Sequence, residues 1–146
     1  MSVRMMFLVL AGLAGAAMAL QGSINSVLGK VIGPKQATLV VHAVGAVSAG
    51  LLLLLPVGGG NLGRLPQAPW YTYLGGLLGV LIVYAVVASI PRLGVATATT
   101  AIIVGQVGLA AIIDHCGFFG LQKVPFTWVK LGGLALLAAG ARLLLG

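Results

Sequence analysis

Residues 4–32 read RMMFLVLAGLAGAAMALQGSINSVLGKVI, with no charged side chain between Arg4 and Lys30. Wound as a helix, that uncharged stretch is about 37 Å long, more than a bilayer's hydrocarbon core of about 30 Å. The rest of the chain has the same character. Of its 146 residues 60% are hydrophobic and 6% charged, and the mean hydropathy is +1.18. A soluble domain of this size would need several times as many charges to cover its surface. The chain is therefore an integral membrane protein.

Apolar length and Gly/Pro punctuation predict five spans, at residues 4–32, 36–55, 70–90, 95–113 and 126–145. They form a single five-helix transmembrane domain over residues 1–146. Pro34, Pro56, Pro66, Pro91 and Pro125 mark the expected helix ends. Trp70, Tyr71, Tyr73 and Trp128 fall at the expected interfaces, where amphipathic rings prefer to lie. Nothing alternates with the period of a barrel strand, so an all-α fold is expected. Arg4 followed by the apolar residues 5–16 and Ala17-Met18-Ala19 imitates a signal peptide. The apolar run continues through that site to Ile32, so it is read as the first membrane helix.

Five spans would put the termini on opposite sides. Arg4, Arg64, Lys123 and Lys130 then share one side, and Lys30, Lys35, Arg92 and Arg142 the other, four against four. Orientation normally follows an excess of Lys and Arg in cytoplasmic loops, and here there is none. One strong loop could still set a single orientation. The sharper reading is dual topology, in which the chain inserts both ways and pairs with an inverted copy of itself as an antiparallel homodimer.

The net charge of +7 is spread over all the loops. It suits anionic lipid headgroups on both faces and lacks the clustered basic stripe of a nucleic-acid site. The single Cys116 excludes an internal disulfide. No metal-ligand set, nucleophile motif or phosphate loop is present, and one acidic residue offers no acid/base pair. Neither enzymatic activity nor a cofactor is expected.

Gln21 and Asn25, four apart on the first helix, share a face, with Gly22 and Ser26 leaving room beside them. A carboxamide facing lipid would leave its donors and acceptor unpaired, at a cost of several kcal/mol. Both are therefore expected to point into the bundle, either as interhelical hydrogen-bonding glue or as part of a substrate site. Gln106 in the fourth helix lies one heptad after Thr99, with Thr97 and Thr100 nearby. Gln106 meeting Gln21 and Asn25 would create a neutral cavity near the midplane, where transporters place substrate. Tyr84 in the third helix is either a stacking wall for that substrate or a packing residue.

Asp114, the only acidic residue, is expected at the end of the fourth helix, with His115 beside it in the following loop. It pairs with Lys123, Lys130 or a partner subunit's cation, or else it is a titrating gate. His42 in the second helix relays a proton or bonds a carbonyl. Gly75, Gly76 and Gly79 give a GxxxG spacing that lets helices approach closely.

The chain resembles the YdcZ-type family of bacterial inner-membrane proteins in the drug/metabolite transporter superfamily. The resemblance rests on Gln21-x-x-x-Asn25-x-x-Leu28, Trp70-x-x-x-Leu74-Gly75-Gly76-x-x-Gly79, Pro91-x-x-Gly94, Gly105-Gln106 and Asp114-His115-x-Gly117. These run in family order across nearly the whole chain. The resemblance implies a five-helix transporter of the inner membrane, and members that work as dual-topology homodimers or as pairs of oppositely inserted paralogues. Related small multidrug resistance proteins carry a Glu in the first helix that binds protons and cationic drugs in turn. Only Gln21 and Asn25 stand there in this chain, which argues against proton-coupled cation export by that mechanism.

The function expected is transport of a small polar or amphipathic molecule by alternating access. Two competing readings are a lipid flippase or scramblase with a lateral groove, and a non-transporting structural subunit of the membrane.

Overall fold

The computed structural model of the chain describes residues 2–56 and 58–145. Five α-helices account for most of it: α1 (Val3–Ile32), α2 (Pro34–Leu52), α3 (Leu74–Leu93), α4 (Val95–Cys116) and α5 (Trp128–Leu145). No strand occurs among the described residues. The helices α1, α2 and α4, and the stretch Trp70–Leu93 that contains α3, are long and apolar enough to cross a membrane. The chain divides into two compact units, Met1–Arg92 and Leu93–Gly146.

In the first unit, α1 and α2 form a hairpin joined by Gly33 alone, at φ 91° and ψ 151°. That backbone conformation strongly favours glycine, because any Cβ would clash there. Pro34 opens α2 as its first residue, where its missing N–H costs nothing. The expected start at residue 36 is thus two residues late. At the other end α2 stops at Leu52, not at residue 55. Leu53, Leu54 and Leu55 tighten into turns that bond three residues back, to Gly50, Leu51 and Leu52. Pro56 accounts for this, since it disfavours the α conformation in the residue before it.

A 3-10 turn over Trp70–Tyr73 leads into α3, and the Tyr73 hydroxyl donates to the Leu65 carbonyl at 2.8 Å. Pro91 does not end α3, which runs on to Leu93. A proline in the last turn removes one backbone bond only, and Arg92 Nη1 donates to the Ala88 carbonyl at 2.7 Å beside it. α1 also meets α3 closely at two glycines. A Cβ placed on Gly22 would meet Val86 Cγ1 at 3.0 Å and Ile90 Cδ1 at 3.3 Å. A Cβ on Gly29 would overlap Val87 Cγ1, with Ala37 of α2 at 3.9 Å. Two positions about 10 Å apart on α1 thus meet residues within about one turn of α3, so the two helices cross. Val87 is 1% exposed at that crossing.

In the second unit, α4 and α5 form a hairpin. α4 runs three residues past its expected end at 113 and takes Asp114 and His115 into its last turn. Gly117 stops it, at φ 66° and ψ 37°, with its N–H on the Ile113 carbonyl. The stop signal was the left-handed cap and not the onset of polar residues. α5 begins at Trp128 and not at residue 126, because Thr127 caps it: its hydroxyl accepts from the Lys130 N–H at 3.3 Å.

Candidate functional site

Gly22, Asn25, Ser26 and Gly29 share the face of α1 that α3 crosses, and all four are buried. Asn25 is 8% exposed. Its carboxamide has no hydrogen-bond partner among the described residues, yet none of its polar atoms is fully buried. The buried Ser26 hydroxyl beside it is likewise without a partner among the described residues, whereas two other hydroxyls nearby are bonded. Ser23 donates to the Ala19 carbonyl at 2.9 Å and Thr38 to the Pro34 carbonyl at 2.8 Å, each within its own helix. Asn25 has no such outlet.

Gln21 shares the helical face of Asn25 but is exposed within the chain. It lies one residue outside the Gly22–Gly29 crossing, so nothing in its own unit covers it. Gln106 is likewise exposed on α4, one heptad after the half-buried Thr99, and Thr97 and Thr100 are half-buried too. Gln21 and Asn25 belong to the first unit, and Thr99 and Gln106 to the second. Tyr84 on α3 is 41% exposed.

His42 is half-buried on α2, with Nδ1 2.8 Å from the Thr38 carbonyl. A carbonyl only accepts, so Nδ1 carries the hydrogen and Nε2 is left as an acceptor in the neutral ring. Nε2 faces α3, 3.6 Å from where a Cβ on Gly79 would stand. By helical rise His42 and Asn25 stand at nearly the same depth beyond the Ala37–Gly29 contact, each about 6–8 Å along its helix. Gly75 and Gly76 have open space where a side chain would project.

Asp114 is exposed and forms no ion pair among the described residues. The expected bond with Lys123 or Lys130 is not made, because the loop takes another route. The Val124 N–H donates to the Asp114 backbone carbonyl at 2.8 Å, and Lys130 Nζ donates to the Pro125 carbonyl at 3.1 Å. His115 ties the same loop, its Nδ1 accepting from the Phe126 N–H at 3.1 Å. That contact, eleven residues apart in sequence, had no signal in the spacing. No group of three His, Cys, Asp or Glu side chains among the described residues could hold a metal ion.

The family model described as "Putative inner membrane exporter, YdcZ" matches residues 6–143 of the chain. No curated protein and no solved structure matches it.

Proposed function

The chain belongs to the YdcZ family of inner membrane exporters, and on that premise we propose that it moves a small polar or amphipathic molecule by alternating access, within the drug/metabolite transporter superfamily. It is a multi-pass protein of the inner membrane. The single observation that carries the proposal is Asn25, a carboxamide buried at a helix crossing with no partner among the described residues. An amide so placed costs on the order of 1–3 kcal/mol until something bonds it. Gln21 and Gln106 are exposed on membrane-spanning helices and carry the same need. A polar solute, with its water, answers all three.

Among the described residues only five apolar side chains are buried. A second copy, inserted upside down, supplies the missing walls, and the even division of the eight Lys and Arg supports that arrangement. In this reading each copy crosses the membrane five times, with α5 as the fifth span. Gln21, Asn25, Gln106, Thr99 and Tyr84 are the substrate-binding candidates, and Asp114, His115 and His42 the gating or coupling candidates. Gly75 and Gly76 belong to the helix-packing face, and their open surfaces suit a second copy.

Asn25→Ala and Gln106→Ala, made singly, test the site. Each should abolish transport in reconstituted vesicles while membrane insertion and the yield of cross-linked dimer stay intact. Loss of the dimer, with full ligand affinity in whatever remains, would make the amides helix glue and refute the reading.

A further inference from the structure

Between α4 and α5 lies an apolar groove of about 460 Å³, lined by Gly108, Ala111, Ile112, His115, Phe126 and Leu134. From Gly108 to His115 it extends about 10 Å along α4, so it reaches from the end of the helix well into one leaflet of a core about 30 Å thick. One end of this groove is polar in a defined sense. A backbone N–H only donates, so the bond from Phe126 N to His115 Nδ1 requires a bare Nδ1 and puts the hydrogen of the neutral ring on Nε2. No described residue accepts from Nε2, and the ring forms a wall of the groove. Lys130 Nζ is held on the Pro125 carbonyl, next to Phe126, which keeps a positive charge at the rim. Lys123 packs its Cα and Cβ against Gly117 in the same loop. Against these two cations stands one carboxylate, Asp114.

We propose that this groove seats one acyl chain of an anionic phospholipid of the surrounding membrane, whose phosphate takes the His115 Nε2–H and lies beside the Lys130 and Lys123 ammonium groups. The charge balance of the loop selects an anionic headgroup over a zwitterionic one, and the Nε2–H supplies a directed donor at the groove's end. The site is distinct from the carboxamides proposed for transport and does not depend on them. A second groove of about 270 Å³ on the same hairpin, beside Thr100 and Gly140, has neither His nor Lys in its lining and serves as the internal control.

The test uses the full chain in vesicles of phosphatidylcholine with graded phosphatidylglycerol, one or the other brominated in its acyl chains. The chain has two Trp residues, so a Trp70→Phe background leaves Trp128, two residues from Phe126, as the reporter. Bromine quenching should show phosphatidylglycerol preferred at Trp128 by about fivefold or more, the increment expected per nearby lysine. Lys130→Gln and His115→Phe should each bring that preference towards unity. Gly108→Leu projects into open space and fills the groove with both lysines intact, and it too should remove the preference. Gly140→Leu in the control groove should not.

Equal quenching by the two lipids in the parent protein would overturn the proposal. So would a preference that survives both Gly108→Leu and Ala111→Phe, since the lysines alone would then account for it. A loss of cross-linked dimer on filling the groove, with lipid preference unchanged, would assign the groove to a second copy instead. Ala111→Phe carries the test should Gly108→Leu fail to insert.

Discussion

Gly29→Ala puts the α1–α3 crossing under direct strain. The added methyl would overlap Val87 Cγ1, and Val87 is 1% exposed and so cannot swing away into open space. A β-branched side chain on a helix also has essentially one rotamer available. Overpacking of this kind costs about 1–3 kcal/mol. Alanine returns about 1 kcal/mol over glycine through helix propensity, which leaves a net loss of about 1 kcal/mol. Gly12→Ala makes the same chemical change where nothing stands within 4 Å, so it should be neutral or slightly stabilising. Val87→Ala alone should cost about 1–3 kcal/mol by leaving a cavity. The double variant Gly29→Ala/Val87→Ala puts a methyl where a methyl was removed, so its loss should be smaller than the sum of the two by about 1–2 kcal/mol. Reversible unfolding in bicelles by steric trapping measures all four. Equal stability of the Gly29 and Gly12 variants, or strict additivity of the double variant, would refute the packing described for this crossing.

Other outcomes follow from the same features. Two or three Lys added to the loop at Gly58–Gly63 should drive that side inward, and additions near Gly33 should do the reverse, as read by a C-terminal reporter; a reporter confined to one compartment in the unmodified protein would refute dual topology. Gly33→Ala should lower stability by about 1–3 kcal/mol through its positive φ, seen as a lower unfolding midpoint. Thr127→Ala should cost about 1 kcal/mol through the lost cap of α5, measured in the same way. A quaternary ammonium dye should not be taken up under an imposed pH gradient, because no Asp or Glu lies within the central turns of any helix; robust uptake that survives Asp114→Asn and His42→Ala would refute that expectation.

The helices were legible because apolar length is a one-dimensional property, and so was the burial of Asn25, which follows from the cost of an unpaired carboxamide in lipid and the room left by Gly22 and Ser26. The different surroundings of Gln21 and Asn25 were not. Helical periodicity puts the two on one face, but where a neighbouring helix crosses that face depends on Val86, Val87 and Ile90, some sixty residues further on. The end of α4 was misplaced for a related reason. The onset of polar residues predicts a stop at 113, whereas Asp114 and His115 continue the helix until Gly117 supplies a left-handed cap. The loop then bonds the Asp114 backbone carbonyl and the His115 ring through the N–H groups of Val124 and Phe126, and no pattern of side-chain charges announces such bonds.

The turn at Gly33 has a mechanical consequence. With one residue between α1 and α2 there is no slack to let either slide or tilt without the other, so Asn25 and His42 travel as points on a single stiff lever. α1 is also interlocked with α3 at Gly22 and Gly29, so a displacement of the pair carries Val86, Val87 and Ile90 with it. Lengthening the Gly33 link by two or three residues would decouple the arms, and on the function proposed above it should lower transport even with Asn25 and His42 unchanged.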